Sequence, residues 1–277
     1  MNKSLSLHLD GIRALAAFTV FFSHLAYQRF TGGAYLWIRD LNLGSDAVVV
    51  FFVLSGFLIA HAAQGRTASE FVRARVARIT SVALPAIALT LVLDAVGRMG
   101  NPVYYAPPWA ADGPVLLEVV RAITFTNEWW FFGSRLGTNG PYWSLAYEVW
   151  YYALFAASFY AHGRRRMLLL VVGVFFVGPR IMLLAPCWIA GVALYNLGIR
   201  DERPRFGPRT ARVMALAPFF IYGGLLAVGA PHFFYGLTIA ASGLREPSVA
   251  FGFSNEFVWN YLVAALVVMH LAGVIAL

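Results

Sequence analysis

Long apolar stretches constrain the fold of this chain more than any other feature. A membrane-spanning helix needs about 20 mostly apolar residues. Stretches of this kind, some of them shorter, lie at residues 11–29, 46–63, 79–97, 143–161, 167–179, 181–198, 213–230, 233–244 and 257–277. Only 12% of the residues are charged, whereas ordinary soluble domains have about 25%. The sequence therefore predicts an all-α fold, a polytopic transmembrane helix bundle of about 8 to 10 spans.

The basic residues lie between the apolar stretches rather than in one tail. The net charge of +8 is therefore interpreted as a set of topology signals, and nucleic acid is not expected as a partner. No run of about 50 residues, the lower limit of a domain, has mixed polar composition. We predict a single membrane domain over residues 1–277, with Cys187 as its only cysteine and hence no intrachain disulfide.

The distribution of positive charge predicts the orientation of the spans. If the N-terminus is cytoplasmic, most of the 21 Lys and Arg residues lie on the inner side, as the positive-inside rule requires. The predicted inner segments are residues 64–78, 162–166 and 199–212, together with Arg245. The first apolar run is longer than the 7 to 15 residues of a signal-peptide core, so we predict that it is retained as a span.

The longest connection, residues 98–142, is predicted to be extracytoplasmic. Its apolar part, residues 115–133, also contains Glu118, Arg121 and Glu128. If that part crossed the membrane, the three arginines after the fourth predicted span would move outside and spoil the charge pattern. We therefore predict an interfacial or re-entrant segment there.

The stretch "LDGIRALAAFTVFFSHLAY", residues 9–27, carries Arg13 and His24 in an otherwise apolar segment. Eleven residues correspond to roughly three helical turns, so both side chains lie on one face, roughly 16 Å apart along the axis. Arg13 is predicted near the cytoplasmic boundary, where it could also reach the head groups beside Asp10. His24 is predicted in the outer half of the bilayer. Ionisable groups at that depth indicate a functional site, and the alternative is a neutral histidine hydrogen-bonded between helices.

Glu148 lies in "GPYWSLAYEVWYYALF", about five residues inside the fourth predicted span. A carboxylate in a span needs a partner. Because this span enters from the outside, Glu148 and His24 are predicted at comparable depth. A histidine and a carboxylate at one depth could form a general base and its orienting group.

Two other features have a structural and a functional interpretation. Ser55 and Gly56 allow close helix approach, and Asp46 at the outer end of the same span could cap the helix. The segment "FVRARVARI", residues 71–79, precedes the third span and carries a set of arginines, Arg73, Arg75 and Arg78. This basic segment is suited to lipid head groups or to a phosphorylated ligand.

Taken together, these segments resemble the acyltransferase type 3 family of integral membrane acyltransferases. "LDGIRALAAFTVFFSH" is similar to the family pattern LDGxRxxAxxxVxxxH, and "FFVLSGFLI", "FVRARVARI" and "WSLAYE" follow in the family's order. The resemblance covers roughly residues 9–155, and "CWIAGVALYNL" is similar to a glycine-containing helix of the family. The family has one more span than this sequence supplies, so we expect the domain to lack a last helix.

The resemblance implies transfer of an acyl group, most often acetyl, from cytoplasmic acyl-coenzyme A to a hydroxyl of a carbohydrate or another cell-envelope acceptor. It also implies a multi-pass protein of a bacterial inner membrane, in contact with lipid. His24 is then the predicted general base or a transient acyl acceptor, and Glu148 orients it or takes part in proton transfer. Arg13 is expected to bind the thioester end or the phosphates of the donor.

The basic segment is expected to hold the coenzyme A phosphates, mainly through Arg75 and Arg78, with Arg73 as a further contact. No metal is expected, because the remaining histidines are scattered and none has a partner at ligand spacing. One alternative is a proton-coupled transporter, which would also use intramembrane Arg, His and Glu, but no inverted repeat is seen in the sequence. The other alternative is a non-catalytic member of the family.

Overall fold

A computed structural model of the chain describes residues 3–107, 110, 113–199 and 206–277. Trp109, in the connection of residues 98–142, lies outside the described residues. So do the arginines within residues 200–205, which belong to the predicted inner segment 199–212. The α-helices, in chain order, are α1 Lys3–Leu25, α2 Gln28–Thr31, α3 Leu36–Asp40, α4 Leu43–Ala62, α5 Ala68–Gly100, α6 Val115–Ile123, α7 Trp143–Tyr160, α8 Gly163–Val177, α9 Pro179–Gly198, α10 Pro208–Ala227, α11 Ala230–Ser242, α12 Pro247–Phe251 and α13 Phe257–Ala276.

The all-α prediction is confirmed, since the regular elements of the described residues are helices. Each predicted span overlaps at least one helix. Within the described part of the chain, six helical segments are long and apolar enough to cross a membrane: Lys3–Leu25, Leu43–Ala62, Ala68–Gly100, Pro179–Gly198, Pro208–Ala227 and Pro247–Ala276. The chain is thus a multi-pass membrane protein.

The chain divides into two compact units. The first contains the described residues of 1–64, 184–247 and 255–277, and the second contains those of 65–183 and 248–254. Each is described below by itself. The prediction of a single domain stays a prediction.

Small residues bring the helices of the first unit close together. A Cβ atom on Gly44 of α4 would overlap the Ser23 side chain of α1, and one on Gly56 would overlap the backbone carbonyl of Trp188 in α9. Ser55 accepts a hydrogen bond of 3.3 Å from the Trp188 indole. The predicted close approach at Ser55 and Gly56 is therefore observed, because a glycine lets two helix backbones touch.

Asp46 joins three helices of the first unit instead of capping α4. Its carboxylate accepts hydrogen bonds from the Tyr222 hydroxyl of α10 at 2.7 Å and from the Trp259 indole of α13 at 2.8 Å. Asp46 is buried, and a buried carboxylate requires such donors. We call this region of the unit the Asp46 end.

The opposite end of the first unit is marked by a pair of histidines. His8 Nε2, near the start of α1, lies 2.9 Å from His270 Nε2, near the end of α13. His270 Nδ1 donates to the carbonyl of Ala215 in α10 at 2.7 Å. We call this the His8 end. Because α13 runs from the Asp46 end to the His8 end, it is antiparallel to both α1 and α10.

It follows that α11 does not cross the membrane. The chain leaves α10 and enters α13 at the same Asp46 end, and α11 has 13 residues, roughly 20 Å, less than the roughly 30 Å hydrocarbon core. This contradicts the predicted span at residues 233–244 and the predicted cytoplasmic position of Arg245. Hydropathy alone does not distinguish a short re-entrant or interfacial helix from a crossing one. Of the other eight predicted spans, six coincide with helices of the described residues that are long and apolar enough to cross a membrane.

The second unit is built along α5, which has 33 residues and is roughly 50 Å long. A capping box fixes its start: the Thr67 side chain accepts from the Glu70 amide, and Glu70 accepts from the Thr67 amide at 2.9 Å. Since the hydrocarbon core is only roughly 30 Å thick, the first turns of α5 can extend beyond it. The basic segment, residues 71–79, lies within α5 and is helical rather than a loop.

α7 and α8 run between the two ends of α5. At the end of α7 the Tyr160 ring lies 5.5 Å from the Phe71 ring near the start of α5. At the end of α8 the Phe175 ring lies 5.2 Å from the Trp130 ring of the long connection. Both helices thus run along α5, and their crossing of the membrane stays a prediction.

The long connection of residues 98–142 contains α6, whose 9 residues are too few to span a bilayer. Asp94 of α5 holds this connection by accepting from the Thr138 amide at 2.8 Å and from the Thr138 hydroxyl at 2.6 Å. The structure agrees with the prediction that residues 115–133 are not a full span.

Candidate active site

His24 has a fixed tautomer. Its Nδ1 atom lies 2.7 Å from the carbonyl oxygen of Val20, one turn earlier in α1. A carbonyl only accepts hydrogen bonds, so Nδ1 carries the proton and the neutral ring keeps its lone pair on Nε2. Among the described residues Nε2 has no hydrogen-bond partner. The half-buried ring is thus prepared to accept a proton at Nε2.

Arg13 lies on the same uninterrupted helix, roughly 16 Å from His24 along the axis. Its guanidinium lies 3.4 Å from Asp10, and the two side chains are 36% and 64% exposed. Exposed pairs contribute only about 0–1 kcal/mol, so Asp10 does not prevent Arg13 from binding another anion. The contact between Arg13 and Asp10, which the sequence led us to expect, is therefore present but weak.

The first helix begins at Lys3, eight residues before the predicted boundary at residue 11. Leu5 and Leu9 are buried on its packed face, and this packing extends the helix beyond the apolar run. Arg13 therefore lies about 15 Å from the start of the helix, and its position near the cytoplasmic boundary stays a prediction. At 100° per residue, Arg13 and His24 lie roughly 80–100° around the helix from the line of Leu5 and Ser23, at the edge of the packed face.

Glu148 lies in α7 of the second unit, half-buried, and accepts a hydrogen bond from the Tyr152 hydroxyl one turn later. Trp143, at the start of the same motif, stacks on Phe253 with ring centroids 4.5 Å apart. His24 belongs to the first unit, so its pairing with Glu148 stays a prediction.

The basic segment contains two arginines that share a face and one that does not. Arg75 and Arg78 are three residues apart in α5, roughly 60° around the helix, whereas Arg73 is turned by roughly 140° or more from both. Arg73 Nε donates to the Ser69 carbonyl at 3.3 Å. Arg75 Nε is buried with no hydrogen-bond partner among the described residues. Arg75 and Arg78 are therefore the pair able to bind one anion together.

The second unit contains a buried ion pair that was not predicted from the sequence. Glu128 Oε2 lies 3.4 Å from Arg180 Nη1, and the residues are 3% and 5% exposed. Arg180 also donates to the carbonyls of Ala250 and Val249 at 2.9 and 2.7 Å. Burial raises the pKa of Glu128 to about 7, and the Arg180 charge opposes this rise. A glutamate within the aromatic run "TNEWWFF" was the available signal, because such a carboxylate requires a buried partner.

These features define a multi-pass helical membrane protein with two pairs of candidate groups: a histidine and an arginine in its first span, and an arginine pair at the start of its third. The family model described as "Acyltransferase domain" matches residues 7–276. The chain therefore belongs to the acyltransferase type 3 family, as the four motifs indicated.

One curated relative is named acyltransferase MdmB, from Streptomyces mycarofaciens. It is 34% identical over 154 residues, which cover 53% of this chain and 37% of that protein. The matched part thus spans little more than a third of the relative. No solved structure matches the chain.

Proposed function

We propose that the chain is a membrane-embedded O-acyltransferase. It moves an acyl group, in the simplest case acetyl, from a cytoplasmic acyl-coenzyme A to a hydroxyl of a carbohydrate or another cell-envelope acceptor. Family membership supports acyl transfer, and the name of the curated relative agrees with it. The donor, the acyl group and the acceptor are parts of the proposal.

The Nε2 atom of His24, which has no hydrogen-bond partner in the described part of the chain, is the observation that carries the proposal. A hydroxyl attacks a thioester slowly unless a base removes its proton. In the proposed step Nε2 takes the acceptor proton as the acceptor oxygen bonds to the thioester carbon. The carbon–sulfur bond then breaks, and the leaving thiolate takes up a proton. The Val20 carbonyl stabilises the imidazolium by keeping its hydrogen bond to Nδ1.

The arginines supply donor binding in this proposal. Arg75 and Arg78 hold coenzyme A phosphates through charge-assisted hydrogen bonds, and Arg13 contacts the donor further along α1. Glu148 orients or exchanges protons with His24. Tyr152 holds the Glu148 carboxylate in position.

The test uses membranes that contain the protein and acetyl-coenzyme A labelled in its acetyl group. We expect label to leave the donor, either to an acceptor in the membrane or slowly to water. The control is the same membrane without the protein. If folded protein neither transfers nor hydrolyses the acetyl group, the chain is a non-catalytic member of the family.

A further inference from the structure

We infer that the first unit holds a binding site for one acyl chain of an anionic phospholipid, in a cavity between α1, α4, α10 and α13. The cavity has a volume of about 680 Å³, within the range of about 300–1,000 Å³ typical of ligand sites. All of its lining residues belong to the first unit.

The cavity lies on a different face of α1 from the predicted catalytic residues. On α1 it is lined by residues from Leu7 to Thr19, including Ile12. Ile12 and Thr19 are rotated by roughly 100–140° from Arg13 and His24 around the helix axis. A ligand in the cavity therefore does not occupy the face proposed for acyl transfer.

The length of the cavity matches one membrane leaflet. From Leu7 to Thr19 the rise along α1 is roughly 18 Å, and half of the roughly 30 Å hydrocarbon core is about 15 Å. The cavity is thus long enough for one lipid chain from head-group level to the bilayer midplane.

The walls favour hydrocarbon over water. Most lining side chains are apolar, and the polar ones at the two ends bind each other: His8 to His270, and Asp46 to Tyr222. Buried water requires several free polar partners, and apolar cavities stay dry. Lipid chains are the apolar molecules that surround these helices.

The charge at the two ends gives the direction of the lipid. Exposed basic side chains, Lys3, Arg209 and Arg212, lie beyond the His8 end in the first turns of α1 and α10. The other end contains the Asp46 carboxylate. An anionic head group is attracted to the basic end and repelled from the acidic one. The head group is therefore placed at the His8 end, which the charge pattern predicts to be cytoplasmic.

The experiment uses the full chain in nanodiscs that contain phosphatidylglycerol with a photoreactive group on one acyl chain. After irradiation, labelled peptides are identified by mass spectrometry. We expect labelling of the lining segments of α1, α10 and α13. Unlabelled phosphatidylglycerol should compete better than phosphatidylcholine. Because a basic residue near the surface contributes about 1 kcal/mol, changing Arg209 and Arg212 to Gln should lower this preference by about fivefold for each charge.

Two matched variants make the result specific. Ala16 is 6% exposed and lines the cavity, so Ala16→Phe should fill it and reduce labelling of the lining segments to background. Ala14 is exposed, is turned by roughly 160° from Ala16 and does not line the cavity, so Ala14→Phe should leave this labelling unchanged. Ala47→Phe fills the cavity from α4 if Ala16→Phe does not fold.

Labelling that is equal in the filled and control variants would mean surface lipid only, and the site would be rejected. Equal competition by both lipids would reject the anionic head group. No acyl donor is present in this assay, so its outcome is independent of the proposed transferase activity.

Discussion

His24 combines two properties of a catalytic base: one ring nitrogen is fixed by the Val20 carbonyl, and the other has no hydrogen-bond partner among the described residues. General base catalysis contributes about 10² to 10⁴ in rate. We therefore expect His24→Ala to lower turnover of labelled acetyl-coenzyme A by at least about 10², with donor binding nearly unchanged. Ser23→Ala is the control, because alanine fits the same space beside Gly44. Near-parent turnover of a folded His24→Ala protein would make His24 a structural histidine.

Glu128 provides a second test at the residue scale. Because burial raises its pKa from 4.5 to about 7, the folded protein holds this proton more tightly than the unfolded chain. The resulting stability is complete below about pH 4.5 and is lost as the pH rises through about 7. We expect the unfolding temperature to fall between about pH 5 and about pH 8. The decrease should be smaller in Glu128→Gln. An equal decrease in both proteins would assign the pH effect to other groups.

At the scale of helices, the arginines at the start of α5 lie on different faces, so we expect them to differ in donor binding. Charge-assisted contacts contribute about 1.5 to 3 kcal/mol, so Arg75→Ala should raise the donor KM by roughly tenfold or more. Arg78→Lys should raise it less than Arg78→Ala, since charge remains while the fork geometry is lost. Arg73→Ala is the matched control, because this side chain lies on another face of α5. Equal KM values for all variants would make the segment a topology signal only.

The contact of α4 with α9 depends on glycine. A methyl group at Gly56 would overlap the Trp188 carbonyl, and such overpacking costs about 1–3 kcal/mol. Gly56→Ala should therefore lower the unfolding temperature of the purified protein. Gly223→Ala in α10, where an added Cβ meets nothing within 4 Å, should leave it unchanged or raise it. A similar response of both variants would show that α4 and α9 can separate at no cost.

For the whole molecule, the sequence predicted what depends on local composition. Hydropathy located the helices, and the separation of 11 residues placed Arg13 and His24 on one face. The sequence did not predict contacts such as that of Asp46 with Trp259, which are 213 positions apart. Nor did it show that Glu128 and Arg180 pair, because charge counting assigns each residue to a side without a partner. Whether residues 233–244 form a crossing helix also depends on such distant contacts.

This correction changes the predicted position of the chain's last residues. Because α13 is antiparallel to α1, Leu277 should lie on the same side as Lys3, whereas nine crossing spans would place it outside. Single cysteines can be introduced after the buried Cys187 is changed to Ala. We expect a membrane-impermeant reagent to label Val103→Cys and Glu246→Cys at once. Gln64→Cys and Leu277→Cys should be labelled only after the inner side is opened. Immediate labelling of Leu277→Cys, with Gln64→Cys still protected, would restore a crossing helix at residues 233–244 and reverse the direction of α13.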